Sequence, residues 1–278
     1  MSRLCFVANW KMNKSIPEAE AYLRTFEEHA ARRGIIAPLL DVGLAETNLA
    51  EIILAPPFTA LSFVSEFLKR SSLRVDLTAQ NVHYEGGGAF TGEISPPMLR
   101  DVGCGYVIIG HSERRQLFGE TDEAIHRKLE AVIAYGLRPI LCIGETLLER
   151  QAGKTWSVLK RQLEQTFGKF LHGREEGARL PEWIVAYEPV WAIGSGQTPT
   201  PEDVGSVLQK IGGFFSEGLA EGQEKSRPRI LYGGSVNEDN IETFMKDREL
   251  DGVLVGGASL SAEKFLKIVE CGTSARRN

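Results

Sequence analysis

The chain has 278 residues, 42% hydrophobic and 25% charged, with 32 basic against 37 acidic side chains and a formal charge of -5. This composition speaks against a disordered chain, and the scattered basic residues speak against a nucleic-acid or membrane surface. The segment from Met1 to Trp10 turns polar too early for a secretory signal and no apolar run approaches a membrane span, so the expected location is the cytoplasm.

Along the chain, short apolar runs recur, each followed by a Gly-, Pro- or Ser-containing turn and a longer amphipathic stretch. Strands are predicted, in order, over residues 4–8, 52–55, 75–79, 106–109, 139–143, 184–187, 230–232 and 252–255. Helices are predicted over 18–32, 121–134, 155–171, 201–220 and 263–269. Runs such as Tyr106-Val107-Ile108-Ile109 are apolar on both faces, which suits parallel strands covered by helices. Thr200-Pro201-Glu202-Asp203 supplies a cap, a first-turn proline and two acids at the positive end of a helix. Eight alternating units predict an α/β chain, a (β/α)8 barrel of eight parallel strands surrounded by helices, although counting alone does not settle closure. No composition shift marks a boundary, so residues 1–278 read as one domain, with 34–48 and 173–179 as surface connections.

Cys5, Cys104, Cys142 and Cys271 form no Cys-x-x-Cys pair, which predicts buried free thiols rather than a zinc site or disulfide framework. Asn13-Lys14-Ser15 matches a glycosylation acceptor but lacks a secretory route. Gly153-Lys154-Thr155 fails as a phosphate-cradling loop because Leu148 stands where the first glycine belongs. Gly110-His111-Ser112 fails as a nucleophile elbow because Arg114 stands where the last one belongs.

In such a barrel the reactive groups come from the loops that follow the strands. After the first strand, Lys11 in Asn9-Trp10-Lys11-Met12-Asn13 is either a surface lysine or the holder of an anionic substrate. After the fourth comes Gly110-His111-Ser112-Glu113-Arg114-Arg115. There His111 is either structural or, at the start of a short helix, a neutral imidazole that polarises a carbonyl. After the sixth, Glu188 ends an apolar run and is either a cap or ion-pair partner, or a base at a desolvated mouth. The following Pro189-Val190-Trp191-Ala192-Ile193-Gly194-Ser195-Gly196 has the hydrophobic tip and terminal glycines of a lid. Gly233-Gly234-Ser235 and Gly256-Gly257 follow the seventh and eighth strands, where barrels bind phosphate on backbone N–H groups. Together these groups predict proton transfer between neighbouring carbons of a small phosphorylated sugar.

The residues then resemble the triosephosphate isomerase family nearly end to end. The matching blocks are Asn9-Trp10-Lys11-Met12-Asn13, Gly88-Ala89-Phe90-Thr91-Gly92-Glu93-Ile94-Ser95, Gly110-His111-Ser112-Glu113-Arg114-Arg115, Cys142-Ile143-Gly144-Glu145-Thr146, Tyr187-Glu188-Pro189-Val190-Trp191-Ala192-Ile193-Gly194, Tyr232-Gly233-Gly234-Ser235-Val236 and Leu254-Val255-Gly256-Gly257-Ala258-Ser259-Leu260.

The resemblance implies interconversion of dihydroxyacetone phosphate and D-glyceraldehyde 3-phosphate through an enediolate, in glycolysis and gluconeogenesis, without metal or organic cofactor. It implies Glu188 as proton shuttle, His111 as electrophile, and Lys11 and Asn9 as substrate holders, supported by Ser112 and Glu113. Gly194, Ser195, Ser235, Gly256 and Gly257 would bind substrate or its phosphate. It also implies a homodimer in which the loop around Thr91 reaches the neighbour's mouth near Asn9 and Glu113.

Two departures stand out. Where the family usually reads Gly-Thr-Gly-Lys this chain reads Gly194-Ser195-Gly196-Gln197, followed by Pro199, and the proline's fixed dihedral bears on lid kinetics. The segment 34–48 is longer than the family usually carries. A different phosphosugar barrel predicts other polar strand ends, and a non-catalytic scaffold predicts loss of Lys11, His111 or Glu188. All three are present.

Overall fold

The computed structural model describes residues 3–33, 50–71, 73–168, 170, 182–193, 199–218 and 227–277. Among the described residues eight strands are present: β1 (Leu4–Asn9), β2 (Ala50–Ala55), β3 (Asp76–Ala79), β4 (Tyr106–Ile109), β5 (Arg138–Ile143), β6 (Ile184–Tyr187), β7 (Arg229–Tyr232) and β8 (Gly252–Val255). They pair in sequence order, every pair parallel, and β8 returns to β1 to close the barrel. At that seam Cys5 stands opposite Gly252, where a Cβ would fall 1.8 Å from the Cys5 carbonyl oxygen, so closure requires glycine there.

Around the strands lie α1 (Ile16–Arg33), α2 (Phe58–Arg70), α3 (Pro96–Val102), α4 (Ser112–Leu117), α5 (Asp122–Ala134), α6 (Leu147–Gln151), α7 (Thr155–Leu163), α8 (Pro201–Gly218), α9 (Ile241–Met245) and α10 (Ala262–Arg277). The expected start of α8 is present, with Thr200 Oγ1 accepting the Asp203 N–H at 3.1 Å. Thr121 caps α5 in the same way through the Ala124 N–H.

The two-residue period of a strand divides the core in two. Leu4, Phe6 and Ala8 of β1 join the larger cluster between strands and helices. Cys5 and Val7 join a smaller one inside the barrel with Ile53, Ile108, Ile140, Cys142, Ile184, Ala186, Leu231 and Leu254. Continuing that inward register to the C-terminal strand ends reaches Asn9, Glu188, Gly233 and Gly256. Continuing it to the N-terminal ends reaches Glu51, Arg138, Glu182 and Arg229.

Four helices were not anticipated from the pattern. α3, α6 and α9 are five to seven residues long, too short for a 3.6-residue period to show. In α2, Phe58, Phe63 and Phe67 lie off the buried stripe of Ala60, Leu61 and Val64 and blur it. The helix expected over 155–171 gives way after Leu163 to a π-turn, Glu164–Gly168. Competing partners account for this: the Thr166 hydroxyl donates to Gln162 O at 2.6 Å, and the Thr166 carbonyl lies 2.9 Å from the His126 ring. The last helix runs well past the expected 263–269. The connections expected at 34–48 and 173–179 and the end of the helix expected over 201–220 lie outside the described residues. Cys5, Cys104 and Cys142 are buried free thiols as expected, and Cys271 is free but only half-buried.

Candidate active site

At the C-terminal ends of the strands a cavity of about 590 Å³ opens, within the usual size of small-molecule sites. Asn9, Lys11, His111, Ser112, Glu113, Glu188, Ser235, Gly256 and Gly257 all line it, so the barrel unites residues that the sequence holds far apart.

Glu188 follows β6 on the inward register, and its N–H donates to Ile143 O at 2.8 Å, which continues the β5–β6 pairing by one residue. Only 2% of the residue is exposed. Its Oε2 accepts the Ser112 N–H at 2.9 Å and its Oε1 lies 3.1 Å from His111 Nε2. The wall behind it is built from glycine. A Cβ on Gly144 would fall 1.8 Å from Glu188 O, and one on Gly233 would fall 2.9 Å from Glu188 Cγ. Beneath lies Cys142, whose thiol is pushed well up by burial and by the charge of Glu188.

His111 is the N-cap of α4, and its Nδ1 accepts the Glu113 N–H at 3.3 Å. An imidazole nitrogen that accepts carries no proton, so the ring's proton sits on Nε2, facing Glu188 and the cavity. The turn is made by Gly110 at φ 69°, whose carbonyl accepts Arg115 Nε at 2.8 Å. Arg115 also pairs with Asp122 at 2.6 Å, which ties α4 to the start of α5.

Lys11 adopts φ 52°, a left-handed conformation that costs a side-chain-bearing residue energy and is kept only where the surroundings impose it. Here Asn9 Oδ1 accepts its N–H at 3.0 Å and Gln80 Nε2 donates to its carbonyl at 2.8 Å. Its Nζ is 2.6 Å from Glu113 Oε1 and reaches Gly256, where a Cβ would lie 3.3 Å from Lys11 Cε. The ammonium is thus aimed into the cavity beside the glycine turn after β8.

Gly233, Gly234 and Ser235 form the wall after β7, and Gly256 and Gly257 the wall after β8. The Ser235 hydroxyl donates to Ala192 O at 2.8 Å, joining that wall to the 3-10 turn Val190–Ala192 that follows Glu188. Gly194, Ser195 and Gln197 lie outside the described residues, and Pro199 is buried.

Some of the supporting residues had no role in the sequence reading. Glu145 is buried, and its Oε1 accepts from Trp191 Nε1 at 2.9 Å and Tyr187 OH at 3.2 Å. Burial pushes its carboxyl above the usual carboxylate range, against those hydrogen bonds. The Gln162 side chain bonds both the N–H and the C=O of Gly144. It lies among Val158, Leu159 and Leu163 on the buried face of α7, and an amide on an apolar stripe was the available signal. Among the described residues no group of three or more His, Cys, Asp or Glu side chains is placed to hold a metal ion.

The family model for triosephosphate isomerase matches residues 4–272. A triosephosphate isomerase of Aquifex aeolicus is 46% identical over 270 residues, covering 96% of this chain and 98% of its own. Those of Endomicrobium trichonymphae and Dictyoglomus thermophilum are 44% and 43% identical, each covering 97% of this chain and 99% and 100% of their own.

Proposed function

The chain belongs to the triosephosphate isomerase family, and from that premise we propose how its barrel mouth performs the chemistry, residue by residue. The protein is an aldose-ketose isomerase of glycolysis that interconverts dihydroxyacetone phosphate and D-glyceraldehyde 3-phosphate. The observation that carries the residue assignment is the buried Glu188 carboxylate 3.1 Å from His111 Nε2, on a cavity that Lys11 shares.

Glu188 takes the proton from the substrate's terminal hydroxymethyl carbon. The C–H electron pair becomes the carbon–carbon double bond, and the carbonyl pair moves onto oxygen. That oxygen gains negative charge against the Nε2–H of His111 and the ammonium of Lys11, a preorganised arrangement that costs no reorganisation during the step. Asn9 engages the Lys11 N–H through Oδ1, which leaves its amide NH₂ as the donor toward substrate. His111 gives the charged oxygen its Nε2 proton and takes back the proton of the adjoining hydroxyl, whose O–H pair becomes the new carbonyl. The carbon–carbon double-bond pair takes the proton that Glu188 returns to the neighbouring carbon, which completes the isomerisation. In the geometry here both carboxylate oxygens are engaged, so Glu188 must leave the Ser112 N–H to reach carbon.

Ser235, Gly256 and Gly257, with Gly194 and Ser195, bind the phosphate. Glu113 steadies Lys11, and Ser112 holds the base at rest. The catalytic unit is the whole of 1–278 as one domain, working in the cytoplasm. Among the described residues no helix is long and apolar enough to cross a membrane. The active form is a homodimer, with the loop around Thr91 reaching the partner's mouth. Met12, Phe90, Met98 and Phe118 are exposed apolar side chains, and Met12 is 95% exposed beside Lys11. Sedimentation at micromolar concentration is expected to give twice the chain mass.

The direct test is turnover of glyceraldehyde 3-phosphate in a coupled assay, with inorganic phosphate as competitor. Glu188→Asp, which retracts the carboxylate by one methylene, should lower kcat about 1,000-fold with KM little changed. Unchanged turnover removes Glu188 from the role of base.

A further inference from the structure

Three backbone groups of one short segment hold the residues around Glu188. Ile143 O accepts the Glu188 N–H at 2.8 Å and Glu145 O accepts the Val190 N–H at 3.1 Å. Between them Gly144 packs so closely that a Cβ on it would fall 1.8 Å from Glu188 O. Glu188 therefore hangs on the extension of β5, and its position is only as good as that of the Gly144 peptide.

Gly144 itself lies past the last paired residues of β5 and β6, and its own N–H and carbonyl bond no neighbouring strand. The group that holds it comes from the outer helical layer. Gln162 Oε1 accepts the Gly144 N–H at 2.9 Å and Gln162 Nε2 donates to Gly144 O at 3.0 Å, so one amide satisfies both backbone groups. Gln162 is 4% exposed and lies 18 residues from Gly144 in the chain. Its own backbone is fixed in turn, because the Thr166 hydroxyl donates to Gln162 O at 2.6 Å and the Thr166 carbonyl meets the His126 ring at 2.9 Å.

We infer that Gln162 is a positioning residue for the isomerisation: from α7 it clamps the Gly144 peptide and so sets where the Glu188 carboxylate stands relative to the substrate carbon. It lines no part of the active-site cavity, so it acts without touching substrate. An amide is the side chain the task requires, since only a group that both donates and accepts satisfies a peptide's two polar atoms. The inference rests on Glu188 being the base.

The test compares Gln162→Met, which keeps length and bulk but neither hydrogen bond, with Gln162→Asn, a shorter amide that cannot make both. Leu159→Ala, at a buried position of the same helix that makes no contact with Gly144 through a side-chain hydrogen bond, serves as a control for lost stability. Each is assayed for kcat, KM, inhibition by inorganic phosphate, thermal midpoint and the isotope effect on kcat with substrate deuterated at the carbon that loses its proton. Both Gln162 variants are expected to lose about 10- to 100-fold in kcat, as a base displaced by up to about an ångström would. KM and phosphate inhibition should stay within about twofold, and the isotope effect should rise as proton transfer becomes slower. Leu159→Ala should lower the thermal midpoint while kcat and the isotope effect stay at parent values. Parent-like kcat and isotope effect in folded Gln162→Met and Gln162→Asn overturn the inference, as does a loss that Leu159→Ala reproduces. If Glu188→Asp also leaves turnover unchanged, the base assignment is what has failed. If Glu188→Asp is crippled while the Gln162 variants are not, only the clamp has failed.

Discussion

The two ends of the barrel continue the same inward strand register and each gathers ionisable side chains, and they differ in what those side chains face. At the N-terminal end Arg229 contacts Glu51 closely, bonds Tyr106 OH at 3.0 Å and pairs with Glu182 at 3.1 Å. Arg138 lies 3.7 Å over the Tyr106 ring and pairs with Glu182 at 3.1 Å and Asp76 at 3.6 Å. Charge meets charge, and the cluster stops the barrel like a plug. At the C-terminal end Glu188, His111 and Lys11 share a cavity of about 590 Å³ walled partly by glycine, and Lys11 is held in a strained backbone conformation. The lesson is that polarity at a strand end does not mark a site by itself. An open cavity, missing side chains around it and strain held by neighbours do.

Three changes test that contrast, from the largest expected effect down. Arg229→Met should destabilise the fold by about 3 kcal/mol, because Glu51 is then buried without its partner, while kcat per folded molecule stays at the parent value. Urea unfolding alongside the coupled assay measures both. The pH dependence has a definite sign. Burial pushes the Glu51 carboxyl up, but Arg229 and the hydrogen bonds from Tyr106 and Arg229 outweigh it and leave the group below its ordinary value. Its stabilisation is therefore complete above the ordinary carboxylate range and is lost as pH falls through the lowered value. The deficit of Arg229→Met should accordingly be largest near neutrality and shrink in acid. A deficit that grows in acid contradicts the plug.

His111→Gln is the converse change, expected to lower kcat about 100-fold with the urea midpoint almost unmoved. If stability falls and turnover survives, the mouth is another structural cluster and the contrast collapses. The smallest effect is expected from Thr146→Ala. Thr146 also follows a strand at the mouth, but it is spent in a capping box with Glu149, accepting the Glu149 N–H while Glu149 Oε2 accepts the Thr146 N–H at 2.8 Å. Its loss should cost about 1 kcal/mol with kcat unaltered, as for a residue of the plug. A large fall in kcat would mean that the capping box at the start of α6 also serves the chemistry.

The sequence by itself determined the eight strands, most of the long helices and the identity of the residues around the mouth. Apolar runs and their spacing are local properties, and a strand end followed by Glu188, His111 or a glycine pair can be read without knowing its neighbours. It also placed Glu188 after its strand and Glu51 before its own, but not what either faces. The partners appear only when closure sets Glu51 against Arg229 and Glu188 against the Ser112 N–H, 76 residues away. The same holds for Lys11 and Glu113, 102 residues apart, and for Gln162, whose amide looks like a flaw in an apolar stripe until Gly144 is placed beneath it. Likewise the π-turn after Leu163 depends on His126 arriving from another helix. Periodicity specifies which face of a segment turns inward. Which partner waits there is decided by the closed barrel, because a hydrogen bond requires two groups within about 3 Å, and no local pattern encodes that distance.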